Sequence, residues 1–158
     1  MRIDRLELEG FRNYAREAVG FDPRCNVICG ENAQGKTNLL EAVVYLSRGR
    51  SPRARTDREM IGFQEDSARL LARVGSRERE FRVQADRYRG RRRKITVNQV
   101  PIKTNAALGD VYHTVLFQPE DLYLIREGAA ARRRFLDTAL CQLRPRYAAA
   151  LAGYERAR

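Results

Sequence analysis

The sequence is short of acid, histidine and cysteine beside its arginine: 20 Asp and Glu stand against 31 Lys and Arg, with one histidine and three cysteines in 158 residues. Cys25, Cys29 and Cys141 are odd in number, and a bridge between the first two would strain the short apolar run they enclose. With His113 as the one histidine, no four-ligand zinc set can be assembled. The cysteines read as reduced packing residues, which points to the cytoplasm. No apolar run approaches the ~18 residues a membrane helix needs. Met1-Arg2-Ile3-Asp4-Arg5 leads into no apolar segment of the signal-peptide kind. Internal repeats at periods of about 20–50 residues are absent too. Disulfide scaffolds, zinc modules, membrane spans and solenoids are thereby set aside, and an apolar content of 43% sets aside a disordered chain.

What is present is charge and one motif. A net charge of +11, most of it arginine, suggests a polyanion as partner, nucleic acid first. An arginine-rich composition spread along the chain is the plainer alternative. The motif is Gly30-Glu31-Asn32-Ala33-Gln34-Gly35-Lys36-Thr37, the G-x-x-x-x-G-K-T of a Walker A phosphate loop. Gly30 and Gly35 let the backbone turn tightly and come close to an anion. Successive N–H groups then face one centre and form a nest. Lys36 supplies a point charge for β and γ phosphates, Thr37 a hydroxyl for Mg²⁺, and the following helix its positive end. The motif belongs between a strand and a helix. Asn26-Val27-Ile28-Cys29 fits a short strand before it, and the strong helix formers after Thr37 predict a helix to about Arg48.

Residues 1–8 and 15–21 predict two strands joined through Gly10-Phe11-Arg12-Asn13-Tyr14, followed by a turn at Asp22-Pro23-Arg24. Ser51-Pro52-Arg53-Ala54-Arg55 begins a polar, basic connection, and residues 59–63 fit a single helical turn. From Ala68 the period becomes two: Ala68, Leu70, Ala72 and Val74, a turn at Gly75-Ser76, then Phe81, Val83 and Ala85, then a hairpin around Asn98-Gln99. This antiparallel region carries Arg87-Tyr88-Arg89-Gly90-Arg91-Arg92-Arg93-Lys94, which reads either as a solvated hairpin tip or as a phosphate-contacting one. Residues 111–117 fit a buried strand with His113 inside it. Residues 129–143 and 146–158 fit helices, with Arg144-Pro145 between them.

A Walker B strand, an apolar run ending in the acid that holds Mg²⁺ and orients water, is not found. Phe135-Leu136-Asp137 follows three arginines on a helix, and Leu122-Tyr123-Leu124-Ile125 ends in Arg126. No guanine-reading N-K-x-D is found either. No residue can be assigned as catalytic.

Five stretches together resemble one family. They are Leu8-Glu9-Gly10-Phe11-Arg12-Asn13-Tyr14, residues 30–41 (GENAQGKTNLLE), Gly49-Arg50-Ser51-Pro52-Arg53, residues 115–122 (VLFQPEDL) and residues 132–137 (RRRFLD). In order and content they resemble the N-terminal part of the RecF family, bacterial recombination and repair ATPases related to SMC and ABC-type heads. The resemblance implies an α/β P-loop NTPase of ABC/SMC head type with an antiparallel β subdomain, truncated before its second half. Residues 1–143 would be the front of the ATP-binding lobe and 144–158 the start of a helical arm. Gly30, Glu31, Asn32, Ala33, Gln34, Gly35, Lys36 and Thr37 would hold ATP, with Arg12 beside it and Gln118 joining Thr37 toward Mg²⁺. Asn98-Gln99 departs from the Asn-Gly hairpin usual in the family. The family's signature motif and Walker B would lie further on. RecF-like proteins form ATP-dependent head-to-head homodimers and hydrolyse ATP slowly. They engage junctions of single- and double-stranded DNA and, with RecO and RecR, support RecA loading. Arg53, Arg55, Arg91, Arg92 and Arg93 are the DNA-contact candidates. Another SMC-like head and a small P-loop nucleotide kinase stay open beside this reading; the kinase would need a substrate lid and a closing Asp that are not visible.

Overall fold

The computed structural model describes residues 1–75, 79–124, 126 and 128–157, without the side chains of residues 106 and 120. Its frame is a six-stranded antiparallel sheet: β1 (Arg2–Phe11), β2 (Tyr14–Gly20), β3 (Ser67–Gly75), β4 (Glu80–Tyr88), β5 (Lys94–Val97) and β6 (Val100–Pro101), in the order β2-β1-β3-β4-β5-β6. Period-two patterning explains the register. Leu6 faces Ala72 and Leu8 faces Leu70, and Leu70 and Ala72 in turn face Ala85 and Val83, so one face of the sheet is apolar across three strands. The β5–β6 hairpin forms at the expected place, with Asn98 (φ 49°) and Gln99 (φ 68°) both left-handed, the geometry of a type I′ turn. The turn expected at Gly75-Ser76 runs into residues outside those described.

The helix α1 (Lys36–Arg48) lies on the apolar face and buries Leu39, Ala42, Tyr45 and Leu46 against Leu6, Leu8, Phe11, Leu70 and Val83. Burying side chains of this size is worth about 1.5–3 kcal/mol each. Gly49 ends α1 in the left-handed region (φ 65°), its N–H bonded to the Tyr45 carbonyl. The helices α2 (Ala129–Leu143) and α3 (Pro145–Ala157) follow, broken where expected by a proline at the first position of α3.

Two expected strands do not form. Residues 26–29 and 111–117 have no ladder partner among the described residues, and Val27 and Val115 are 86% and 99% exposed. An apolar run becomes a strand only when another strand accepts its backbone hydrogen bonds. His113 accordingly sits in an irregular segment, hydrogen-bonded to the Gln142 carbonyl at 2.7 Å. The packing role expected for the cysteines fails for Cys25 and Cys29, which are exposed; all three cysteines are free.

Candidate nucleotide-phosphate site

The Walker A loop curls into the start of α1 with Gly30 (φ 150°), Ala33 (φ 66°) and Gly35 (φ 103°) at positive φ. Gly35 is required twice over, because a Cβ there would also sit 2.7 Å from the Asn13 amide and 3.0 Å from the Tyr14 hydroxyl. Lys36 folds back over the loop, its Nζ 2.7 Å from the Gly30 carbonyl and 2.6 Å from that of Glu31. No acidic residue occupies the first turn of α1, so its positive end is uncompensated. Glu31, Asn32, Ala33, Gln34 and Thr37 are exposed on the same rim. A cradle that excludes a Cβ, one ammonium and an open helix end fit a chain of phosphates. The Thr37 hydroxyl fits a hard cation beside them. Among the described residues no cluster of three His, Cys, Asp or Glu offers a separate metal site.

The loop is oriented from outside by the turn between β1 and β2. Asn13 Nδ2 donates to the Gln34 carbonyl (3.1 Å) and the Tyr14 hydroxyl to that of Gly35 (3.1 Å). In a trans peptide the carbonyl and the next N–H point in opposite directions. Holding the Gln34 carbonyl toward Asn13 therefore turns the Gly35 N–H away from it, toward the nest.

Arg12 lies beside this turn in the left-handed region (φ 54°), its N–H bonded to the Met60 carbonyl. Its guanidinium forms a fork on Glu41, Nη2 to Oε1 at 2.7 Å and Nε to Oε2 at 3.0 Å, and Nη1 donates to the Glu59 carbonyl at 2.6 Å. Arg12 thus bonds to Glu41 and Glu59 and, among the described residues, makes no hydrogen bond to the loop itself. Gln118 stands apart. It precedes a 3-10 turn (Pro119–Tyr123), its N–H held by the Asp121 carboxylate at 2.8 Å, and among the described residues no hydrogen bond joins it to the phosphate loop.

The basic candidates divide. Arg53 is drawn into the loop's surroundings, donating to Asn38 at 2.9 Å and lying 3.6 Å from Glu41. Arg55, Arg91 and Arg92 are exposed. Arg93 donates to the Gly49 carbonyl (2.6 Å) and to Asn105 (2.9 Å). Arg92 and Arg93 join Lys103, Thr104 and Asn105 around a basic cleft of about 310 Å³ floored by Ile95 and Ile102. The rest of the basic run is not a free tip. Arg89 clasps the carbonyls of Gly62, Phe63 and Glu65. Arg87 is 1% exposed and lies 4.7 Å from the Tyr45 ring. Its Nε is 3.4 Å from the Asp57 carboxylate. Burial first, then the charge of Arg93, pulls its pKa down to about 9.

Sequence reasoning missed Asn13, Tyr14, Asn38, Glu41 and Ser51 as members of this site. Glu41 carried a usable signal: on α1 it falls one turn from Tyr45, on the buried stripe, where an unpaired charge is prohibitive.

A Walker A loop braced on an antiparallel sheet, with α1 buried against it, defines the nucleotide-binding lobe of a P-loop ATPase head. The family model described as "AAA domain" matches residues 5–133. The chain belongs to that family, and within it corresponds to the N-terminal part of RecF. RecF of Acetivibrio thermocellus is 40% identical over 147 residues, which cover 93% of this chain and 40% of the relative. RecF of Acidothermus cellulolyticus is 41% identical over 157 residues, covering 99% and 42%. A solved structure of the recombination mediator RecF with ATPrS superposes with a TM-score of 0.93 at 31% identity, over 98% of this chain and 42% of that one. An SMC ATPase shares the fold at a TM-score of 0.71 and 20% identity, over 88% of this chain and 99% of that one. The chain spans about two fifths of the length of the curated relatives it matches. Among the described residues no helix is long and apolar enough to cross a membrane.

Proposed function

We propose that this chain is the ATP-binding part of a RecF-type ATPase of DNA replication and repair. The observation that supports this most is the braced cradle: Gly35 admitting no Cβ, Lys36 folded over the loop, and Asn13 and Tyr14 orienting its carbonyls. ATP binds with its phosphates along residues 30–37. Lys36 faces the β and γ phosphates, and Thr37 reaches Mg²⁺ or its water. RecF relatives are named for DNA replication and repair, and one solved RecF carries ATPrS. The same reading places the protein in the cytoplasm. Two heads close on ATP, engage DNA at junctions of single and double strand, and support RecA loading with RecO and RecR. Arg53, Arg55, Arg91, Arg92 and Arg93 contribute sequence-independent phosphate contacts, Arg92 and Arg93 through the basic cleft. No residue of this chain is assigned as the hydrolytic base.

The test is titration of the full-length protein with a fluorescent ATP analogue in Mg²⁺. Lys36→Ala is expected to weaken binding by at least about tenfold, the worth of one charge-assisted contact. Binding unchanged by Lys36→Ala overturns the assignment.

A further inference from the structure

Glu41 is a full charge on the buried face of the P-loop helix, with a side chain that is 0% exposed. A buried carboxylate persists only when donors satisfy it. Here the donors come from three places in the chain. Arg12 forks onto both oxygens from the β1–β2 turn. The Ser51 hydroxyl donates to Oε1 from the segment after α1, and Arg53 Nη1 lies 3.6 Å from Oε2. Ser51 Oγ also accepts the N–H groups of Arg53 (2.9 Å) and Ala54 (2.7 Å), which fixes the path of that segment.

The set then reaches the phosphate loop through side-chain amides. Arg53 donates to Asn38 Oδ1 (2.9 Å), Asn38 donates to Asn13 Oδ1 (2.8 Å), and Asn13 donates to the Gln34 carbonyl (3.1 Å). One carboxylate thus anchors two guanidinium groups and, through two amides, a peptide of the loop. The charges leave one net positive, since Arg12 and Arg53 outnumber Glu41. Arg12 uses one N–H on each of its three nitrogens; the other two, one on Nη1 and one on Nη2, make no hydrogen bond among the described residues.

We propose that Glu41 is the positioning residue of the phosphate site: it holds Arg12 and Arg53 at the loop's mouth, aimed at phosphate oxygens, and keeps the Gln34 carbonyl turned outward. This rests on the loop being an ATP site. It assigns Glu41 no contact with nucleotide. A carboxylate near phosphates would by its charge alone repel them, so replacing it with a neutral amide should tighten binding if positioning were unimportant. Positioning predicts the opposite sign.

The experiment titrates the full-length protein with mant-ATP and Mg²⁺ for wild type, Glu41→Gln, Arg12→Ala, the double variant and Lys36→Ala, with melting temperatures alongside. Glu41→Gln is expected to weaken binding about tenfold, Arg12→Ala by a similar factor, and the double variant no more than the worse single one, because both act through one interaction. Arg12→Lys, which keeps the charge and loses the fork, should fall with them and replaces Glu41→Gln if that variant does not fold. Binding by Glu41→Gln at wild-type strength or tighter, or factors that multiply in the double variant, overturns the inference while Lys36→Ala still shows the loop to be the ATP site. Wild-type binding that Lys36→Ala leaves unchanged overturns the ATP reading itself.

Discussion

Between β1 and Leu108 the large apolar side chains are mostly inside; from Val115 onward they are mostly outside. Leu6, Leu8, Phe11, Leu46, Leu70 and Val83 are buried against one another, whereas Phe117, Leu122, Phe135, Leu136, Leu143 and Tyr154 face solvent. Both regions are patterned for burial, so hydrophobicity does not separate them. What separates them is whether a second layer of structure is present to close over the pattern. The sheet has α1. The helices α2 and α3 have chiefly each other, pinned by the Tyr147 hydroxyl on Asp137.

The largest test of this contrast compares truncations. Leu8→Ala should lower unfolding stability by about 2–5 kcal/mol in urea titration, because it leaves a cavity in a closed core. Leu136→Ala should stay within about 0.5 kcal/mol. Equal losses would break the comparison. A smaller effect tests the exception inside the first region, Arg87, which buries a guanidinium beneath Tyr45 with Nη2 making no hydrogen bond among the described residues. Its depressed pKa means that the folded protein disfavours the charged form, a penalty fully present below about pH 9 and relieved as pH rises from there toward the ordinary arginine range. Arg87→Met should therefore melt no lower than wild type at pH 7 and gain up to about 1–2 kcal/mol. A lower melting temperature would show that the Tyr45 stacking and the Asp57 pair outweigh desolvation.

The smallest effect is at an exposed corner. The Glu59 carboxylate accepts the N–H and hydroxyl of Thr56, each at 3.0 Å. The Thr56 hydroxyl, then the Arg55 N–H, hold its pKa below the usual value of 4.5. The sign follows: its contribution is present above pH 4.5 and is lost as pH falls through the lowered value. Glu59→Gln should erase that part of the acid dependence of the melting curve and leave the rest; an unchanged acid slope would sink the assignment.

How much was readable in the sequence follows the same division. Alternation from Ala68 to Val97 gave the ladder, because each strand there finds its neighbour within a few residues of chain. The glycine and lysine spacing gave the loop, because that chemistry is local. Asn26-Val27-Ile28-Cys29 and residues 111–117 look no different as patterns, yet are unpaired among the described residues, since pairing depends on what lies alongside and not on the run itself. The arginine run misled for a related reason: counting charges cannot tell Arg87 and Arg89, used up on a ring and on carbonyls, from Arg91 and Arg92, which face solvent. Arg12 entered as an expectation from the family resemblance; its fork on Glu41 was not readable, because it spans 29 residues.

The helix α1 is held at both ends, by Tyr14 on the Gly35 carbonyl and by Arg93 and Asn105 on that of Gly49. Its 13 residues make a rod of about 20 Å. The phosphate loop sits at one end and the basic cleft at the other. Charges that far apart are screened from each other at cellular salt, where the Debye length is about 8 Å. A nucleotide at one end and an anion at the other would be nearly invisible to each other electrostatically. What the two ends do share is one rigid helix, fastened at each of them.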